Sequence, residues 1–224
     1  METSQKQQAF WQAYTKEKIS DDDIIEINKN LYDFAKVLVE ISKVEKLRKA
    51  KKKMISKNET IINLYNQNFK LIELYGIDEQ GNCTCRYGAK CNCAGKHPVK
   101  SSWQENYIKS LAELKYILNN HKNPNFGIVT GNGLVVIDID KRHGGFESLE
   151  KIEHSLNELD EPIMVVKTGG DGLHLYYKTD EIVRNRTNLL PGVDVRGDGG
   201  YVVAPASKHK SGNYYEIEKG EINA

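Results

Sequence analysis

Residues 134–140 read Leu-Val-Val-Ile-Asp-Ile-Asp, an aliphatic, strand-forming run that carries two acids at its end. Side chains two residues apart on a strand point to the same face, about 6.5–7 Å from each other. We therefore expect Asp138 and Asp140 to lie together, while Ile137 and Ile139 face the core. Two carboxylates this close repel each other unless a cation sits between them, and Mg²⁺ or Mn²⁺ prefers such oxygen ligands. The stretch predicts a divalent-metal site, although two solvated aspartates would produce the same pattern.

Two later stretches place further polar residues in apolar strands. Residues 167–174 (KTGGDGLH) end in a histidine that opens the run HLYY, and Asp194 stands between Val193 and Val195. Neighbouring strands lie about 4.8 Å apart, so Asp194 could complete a three-carboxylate cluster with the first two acids. A lone strand histidine is usually an ordinary structural residue. Three acids, His174 and glycine-rich turns together nevertheless predict a metal-dependent nucleotide site.

The alternation of short apolar runs and glycine clusters predicts a mixed α/β fold with a largely antiparallel sheet. Strands are predicted at 69–74, 127–130, 134–140, 163–168, 173–178, 193–195, 201–204 and 214–217. Helices are predicted around 61–65, 108–118 and 146–159.

Residues 1–57 predict a helical N-terminal extension that carries no catalytic motif. Ser20 and the acids at 21–23 form a capping sequence. Apolar residues then recur every three or four positions, as expected of one helical stripe: Ile24, Ile27, Leu31, Phe34, Leu38 and Ile41. The segment turns basic at 46–53 (KLRKAKKK), which suits either a solvated helix end or a phosphate-contacting patch. Charge alone does not separate these two interpretations. We assign residues 58–224 to one catalytic domain.

Composition limits the possible classes further. The 224 residues carry 32 Lys and Arg against 31 Asp and Glu, which excludes a generally basic nucleic-acid coat but not a local patch. No apolar run approaches the roughly 18–20 residues needed to cross a bilayer, and the first residues lack the apolar core of a secretory signal. We expect a soluble, cytoplasmic protein without a membrane partner.

All four cysteines lie within residues 83–93, where the chain reads CTCRYGAKCNC. Disulfides stabilise a fold by joining distant segments, so this clustering suits a metal clip better than disulfides, with free thiols as the alternative. Tetrahedral zinc needs four ligands, and the stretch offers five: Cys83, Cys85, Cys91, Cys93 and His97. Local symmetry favours the four cysteines.

In this order, the motifs resemble the bifunctional primase–polymerase domain of the archaeo-eukaryotic primase superfamily, found at the front of plasmid, phage and mobile-element replication proteins. The matching stretches are 125–131 (NFGIVTG), 135–140 (VVIDID), 172–174 (GLH), 193–194 (VD), 196–197 (RG), 200–205 (GYVVAP), and 95–98 (GKHP) with Trp103. The resemblance extends over about 58–215. One mild departure is Ala204-Pro205-Ala206, where relatives often carry two prolines before the serine.

The resemblance implies an RRM-like primase–polymerase core with a zinc-binding loop at about 83–97. It implies a DNA primase/DNA polymerase that synthesises or extends primers on single-stranded DNA from dNTPs or NTPs. The implied metal ligands are Asp138, Asp140 and Asp194 for two Mg²⁺ or Mn²⁺ ions. The implied nucleotide-binding residues are His174, also expected to be catalytic, and, more weakly, Arg196, Thr168, Ser207 and His209. A replicative helicase module or protein is an implied partner.

The family pattern also bears on the zinc ligands, because it favours Cys83, Cys85, Cys91 and His97 over the four cysteines. We predict this second set. Two other classes of function remain open at this stage. One is a catalytically silent nucleic-acid-binding replication module, and the other is a D-x-D glycosyltransferase, which would leave His174, Asp194 and the cysteines unexplained.

Overall fold

The computed structural model describes residues 57–156 and 161–220, together with positions 20, 22, 23, 25, 29, 36 and 43. The chain divides into two compact units, 1–54 and 55–224. In the first unit the Asp23 N–H donates to Ser20 Oγ at 3.2 Å, and the Ser20 N–H donates to Asp23 Oδ2 at 2.7 Å. These two hydrogen bonds are the capping interaction that the sequence predicts for Ser20. The predicted apolar stripe (24, 27, 31, 34, 38 and 41) and the basic residues 46–53 lie outside the described residues.

The described part of the second unit contains three helices, two short 3₁₀ turns and nine strands. The helices are α1 at 57–66, α2 (Leu111–Asn120) and α3 (Gly145–Leu156), and the 3₁₀ turns are Gly88–Lys90 and Lys141–His143. The strands are β1 (Leu71–Leu74), β2 (Asn125–Val129), β3 (Leu134–Ile139), β4 (Met164–Lys167), β5 (Leu173–Lys178), β6 (Arg186–Leu190), β7 (Val193–Arg196), β8 (Tyr201–Val203) and β9 (Glu216–Lys219).

The strands form two antiparallel sheets. Three strands pair in the order β1-β2-β8, and six pair in the order β6-β7-β3-β5-β4-β9. The predicted mixed α/β class with largely antiparallel pairing is confirmed. The ends of most elements differ by a few residues from the predicted ones; the last strand, for example, begins at Glu216 instead of Tyr214. Strand β6 has no counterpart among the predicted strands. Strand β6 lies at a sheet edge with three exposed residues and irregular pairing to β7, so it lacks an apolar alternation.

The two faces of β3 pack against different neighbours. Val136 belongs to the main core, which draws residues from α1, α2 and both sheets. Ile137 and Ile139 belong to a second cluster with Val193, against which Leu149 of α3 packs. The strand is therefore buried on both faces, and the alternation predicted for Ile137 and Ile139 is confirmed. Among the described residues, no helix has both the length and the apolar character needed to cross a membrane.

Close backbone contacts hold the loops at the end of β3. Gly172 has no space for a side chain, because a Cβ there would lie 2.1 Å from the Ile139 carbonyl oxygen. On the other side the Asp140 N–H donates to the Gly192 carbonyl at 2.7 Å. The turns that precede β5 and β7 are thus packed directly against the end of β3. The first residues of β5 and β7 therefore lie beside the last residues of β3.

Candidate active site and metal clip

The register of three strands places Asp138 between two other polar residues predicted for the site. Asp138 lies directly opposite Asp194 of β7 on one side and His174 of β5 on the other. Residues paired in this way present their side chains on the same face, with Cβ atoms about 4.5–5.5 Å apart. Asp140 follows β3 and caps the 3₁₀ turn behind it. All three acids and His174 line one cleft, and they are here called the acidic cluster.

Arg196 lies beside both of the paired acids, and His174 lies beside one of them. The Arg196 Nη2 lies 2.5 Å from Asp194 Oδ2 and 3.8 Å from Asp138 Oδ2. The His174 Nε2 lies 3.5 Å from Asp138 Oδ1. Burial alone would raise the pKa of Asp138, but His174, Arg196 and Lys96 together hold that pKa below its ordinary value. The carboxylate is consequently ionised at neutral pH, as a cation ligand must be.

Asp140 is held by the turn that follows it. The Arg142 backbone N–H donates to Asp140 Oδ1 at 2.9 Å, and the Arg142 guanidinium donates to Oδ2 at 3.1 Å. The His143 Nδ1 lies 3.0 Å from the same Oδ2. Burial would raise the pKa of Asp140, but these contacts hold it at about 2. Two arginines thus supply positive charge among the acids, and a divalent cation would have to displace their side chains.

The cluster opens onto a cleft of about 740 Å³. Of the weaker nucleotide-binding candidates, Thr168, Arg196 and His209 line this cleft. Ser207 does not: it is fully buried, and its hydroxyl accepts from the Phe126 N–H at 3.1 Å and donates to the Phe126 carbonyl at 3.2 Å. Ser207 joins the segment after β8 to β2, so the structure does not bring it to the other site residues.

Thr168 and His209 enter the cleft in different ways. The Thr168 hydroxyl accepts from the Gly172 N–H at 2.9 Å and closes the glycine-rich turn before β5. His209 is 4% exposed, with Nδ1 lying 2.9 Å from Ser211 Oγ and Nε2 left without a hydrogen-bond partner. Burial, reinforced by nearby cations, lowers the pKa of His209 to about 4. The ring is therefore neutral at pH 7, and its unpartnered Nε2 is buried beside the cleft.

Several cleft residues were not predicted from the sequence. Lys96 lines the cleft; its stretch Gly-Lys-His-Pro is part of the resemblance, but the sequence analysis gives no role to the lysine. Arg142 also lines it, but an arginine two residues beyond an acid carries no recognisable pattern. Asn188 donates its backbone N–H to Asp194 Oδ1 at 2.7 Å from a left-handed conformation in β6. Only the folded chain shows that these residues meet the acids.

A second cluster lies in the loop that carries the cysteines, here called the metal clip. Cys83, Cys85, Cys91 and His97 place one ligand atom each within 4.8 Å of one another. The His97 Nε2 lies 3.4 Å from Cys83 Sγ and 3.5 Å from Cys91 Sγ. Tetrahedral zinc with Zn–S of about 2.3 Å and Zn–N of about 2.0–2.1 Å would separate S and N by about 3.6 Å. The group could hold such an ion.

Cys93 lies outside the group of four. It is exposed, and its Sγ is 4.0 Å from that of Cys91. Burial raises the pKa of the Cys83 thiol to about 11, so a metal-free clip keeps this thiol protonated. A bound cation would reverse that preference, because a coordinating thiol loses its proton. Three thiols and an imidazole suit zinc, whereas the acids of the cleft suit harder ions.

Comparison with known families agrees with this geometry. The family model for the N-terminal domain of bifunctional DNA primase/polymerases (Prim-Pol) matches residues 62–223. Since the match covers most of the chain, the protein belongs to this family. Membership supports a primase/polymerase type of function in DNA replication, with single-stranded DNA and nucleotides as the substrates of such a domain. A search of the curated proteins found no match.

Proposed function

We propose that this protein is a template-directed nucleotidyltransferase that makes or extends primers on single-stranded DNA in the replication of a mobile element. One observation carries the proposal: in a chain of the primase/polymerase family, Asp138 lies between Asp194 and His174 at the floor of an open cleft. A domain that only binds DNA needs no such cluster of ionised acids. The catalytic domain would comprise residues 58–224 with an RRM-like core, act in the cytoplasm, and cooperate with a replicative helicase.

The three acids would hold two Mg²⁺ or Mn²⁺ ions. Such ions would supply a lowered pKa for a primer 3′-hydroxyl and positive charge for the leaving pyrophosphate. Asp138 and Asp140 keep their carboxylates ionised at neutral pH through neighbouring cations, so these ligands need no deprotonation before use. Arg142 and Arg196 would turn from the acids towards the phosphates of the incoming nucleotide when the ions bind.

The nucleotide would lie in the cleft beside the acids. His174 is 4% exposed and borders Asp138, which supports a role for its ring in binding the triphosphate beside the metal ligands. The unpartnered Nε2 of His209 offers a second hydrogen-bonding group for phosphate oxygens. The Thr168 hydroxyl accepts a hydrogen bond within the glycine-rich turn before β5, and it could donate a hydrogen bond to the same nucleotide. Ser207 is not included, because its hydroxyl is already used by the Phe126 backbone.

Nucleotide incorporation tests this proposal. The purified protein is incubated with a single-stranded template, labelled dNTPs or rNTPs, and Mg²⁺ or Mn²⁺. We expect products that lengthen with time. Asp138→Asn should reduce the incorporation rate at least ~100-fold, because metal ions contribute several kcal/mol of transition-state stabilisation. The melting temperature should fall, since His174, Arg196 and Lys96 stabilise the Asp138 carboxylate in the folded protein, and far-UV circular dichroism confirms that the variant is folded. Asp180→Asn, at an exposed position outside the cleft, is the matched control.

The outcomes also separate this proposal from the second candidate, a silent nucleic-acid-binding module. That candidate is favoured by one observation: Arg142 and Arg196 already compensate the acids by direct contact. A silent module would bind the template without incorporating any nucleotide, whichever cation is supplied. Retention of activity in Asp138→Asn would instead show that the acids are not the metal ligands.

A further inference from the structure

Lys96 connects the metal clip to the cleft. Its side chain lines the same cleft as Asp138 and Asp140. The next residue, His97, points the other way into the clip, with its Nε2 3.4 Å from Cys83 Sγ. One peptide bond therefore separates a metal-ligand candidate from a cation that faces the acids. The clip therefore lies next in sequence to a residue that lines the cleft.

The backbone around Lys96 is held from several sides. The Lys96 N–H donates to the Cys93 carbonyl at 3.0 Å, inside the clip. The Lys96 carbonyl accepts from the Tyr201 hydroxyl at 2.8 Å, and the Gly95 carbonyl accepts from the Asn125 side-chain amide at 2.9 Å. Tyr201 and Asn125 belong to the three-stranded sheet. Hydrogen bonds consequently connect the backbone at Gly95 and Lys96 both to the clip and to the three-stranded sheet.

Each residue of Gly95-Lys96-His97 has a different environment. Gly95 has φ +74, and a Cβ there would lie 2.8 Å from Ile77 Cγ1, so only glycine fits. The His97 ring is part of the clip and packs against Tyr75 with ring centroids 4.6 Å apart. The Lys96 side chain alone of the three faces the cleft. Its two neighbours hold the backbone from which it projects.

The Lys96 ammonium has no carboxylate partner of its own among the described residues. Asp138 and Asp140 attract it, but their ion pairs are made with other side chains. A half-buried cation that borders a cleft without a partner is suited to an anionic ligand. The cleft of a nucleotidyltransferase receives such a ligand in the triphosphate of each incoming nucleotide.

We infer that Lys96 contacts the triphosphate of the incoming nucleotide and that the metal clip positions Lys96 for this contact. The inference rests on the proposed function, which supplies the ligand. Loss of the clip metal would release His97 from the cysteines. The Gly95–His97 loop would then lose one of its anchors, and the lysine would no longer be held at the cleft. Zinc thus controls nucleotide affinity from outside the catalytic cluster.

The first experiment measures equilibrium binding of dATP and dAMP in the presence of Ca²⁺. Lys96→Ala should weaken dATP binding by roughly 10-fold or more, as expected for loss of a charged hydrogen bond. The affinity for dAMP should change far less, since it lacks the β- and γ-phosphates. Lys96→Arg should restore much of the dATP affinity. Lys90→Ala removes an exposed lysine from the same loop and is the matched control, with wild-type affinity expected.

The second experiment tests the link to the clip. Cys91→Ser should lower the zinc content and weaken dATP binding to about the level of Lys96→Ala. The double variant should bind no more weakly than Lys96→Ala alone, because residues that act through one contact are not additive. Zinc content is measured directly on each purified protein, and far-UV circular dichroism confirms that each variant is folded.

The results distinguish the possible failures. If the wild-type protein does not bind dATP or incorporate nucleotides, both the proposed function and this inference are overturned. If the wild type binds dATP and Lys96→Ala binds it equally well, only the triphosphate contact is overturned. The positioning role is overturned if Lys96→Ala weakens dATP binding but the Cys91→Ser protein, folded and free of zinc, binds dATP as tightly as the wild type. Should Cys91→Ser fail to fold, chelation of zinc from the wild-type protein takes its place, with the same readouts.

Discussion

At the scale of single residues, the site depends on how neighbouring groups set each protonation state. Asp138 is largely buried, yet it remains ionised because His174, Arg196 and Lys96 surround it. His209 shows the opposite balance. Burial and the nearby cations Lys96, Arg142 and Lys210 disfavour the charged ring, and its pKa falls to about 4. The same cleft therefore holds charged acids beside a neutral histidine.

The lowered pKa of His209 predicts a pH dependence of stability. An unfolded histidine takes up a proton below its ordinary value of 6.5, whereas the folded one does so only near 4. Because the unfolded state then binds more protons, the free energy of unfolding should fall as the pH is lowered from 6.5 to 4. His209→Asn should flatten this dependence. Urea unfolding of both proteins between pH 7 and 4.5 measures the free energy of unfolding. Subtracting one curve from the other removes the contribution of the acids that both proteins share.

Parallel curves for wild type and His209→Asn would contradict this assignment. They would mean that His209 titrates equally in the folded and unfolded chains. At pH 7, where the ring is neutral in both states, this contribution is absent, and the remaining difference reports packing and hydrogen bonding alone.

At the scale of structural elements, the clip shows how a short loop brings ligands together. Cys83 and Cys85 are buried beside Ile77 and Ala94 in a small cluster of their own. The 3₁₀ turn Gly88–Lys90 then leads to Cys91, which packs against this cluster. The loop buries few apolar side chains, so a bound metal would contribute much of its stability.

Zinc stoichiometry tests the choice of ligands. We expect the wild-type protein to carry about one zinc per chain, as for one four-ligand site. Cys93→Ser should retain the zinc, because Cys93 lies outside the group, whereas His97→Ala should lose it and lower the melting temperature. Elemental analysis of the purified proteins provides the measurement. Zinc loss in Cys93→Ser alone would favour the four-cysteine set, and a zinc-free wild type would contradict the site.

At the scale of the whole molecule, the open question is how single-stranded DNA is held. The net charge is only +1, so template binding must rely on local patches. Residues 46–53 carry six cations within eight positions. Their sequence lies next to the catalytic unit along the chain, which makes them candidates for phosphate contacts.

Salt dependence of DNA binding separates a phosphate-contacting patch from a solvated segment. Each phosphate contact on a single strand contributes about 0.7 to the slope of log K against log salt concentration. Replacing the six cations of 46–53 by glutamine should lower the slope by up to about 4. Fluorescence anisotropy with labelled single-stranded DNA measures it. Lys115→Gln and Lys122→Gln, which remove exposed charges elsewhere, are the controls; an unchanged slope in the six-fold variant would identify 46–53 as solvated.

The sequence alone determined the parts of this protein that depend on local geometry. Alternation along a strand was enough to place Asp138 and Asp140 at its polar end and Ile137 and Ile139 in the core. The clustered cysteines indicated a metal clip in the same way, since only a few residues separate them. In both cases the chain between the residues is too short to take many other arrangements.

The tertiary structure decided what depends on pairing between distant segments. The register of β3 with β5 and β7 sets His174 and Asp194 on either side of Asp138. Ser207 and Lys96 are the contrasting cases. The Ser207 hydroxyl bonds the Phe126 backbone although the residue belongs to a recognisable motif. Lys96 lines the cleft of the acids from a loop whose backbone is hydrogen-bonded to Cys93 and to Tyr201. Such placements result from long-range packing and hydrogen bonding, which no local pattern encodes.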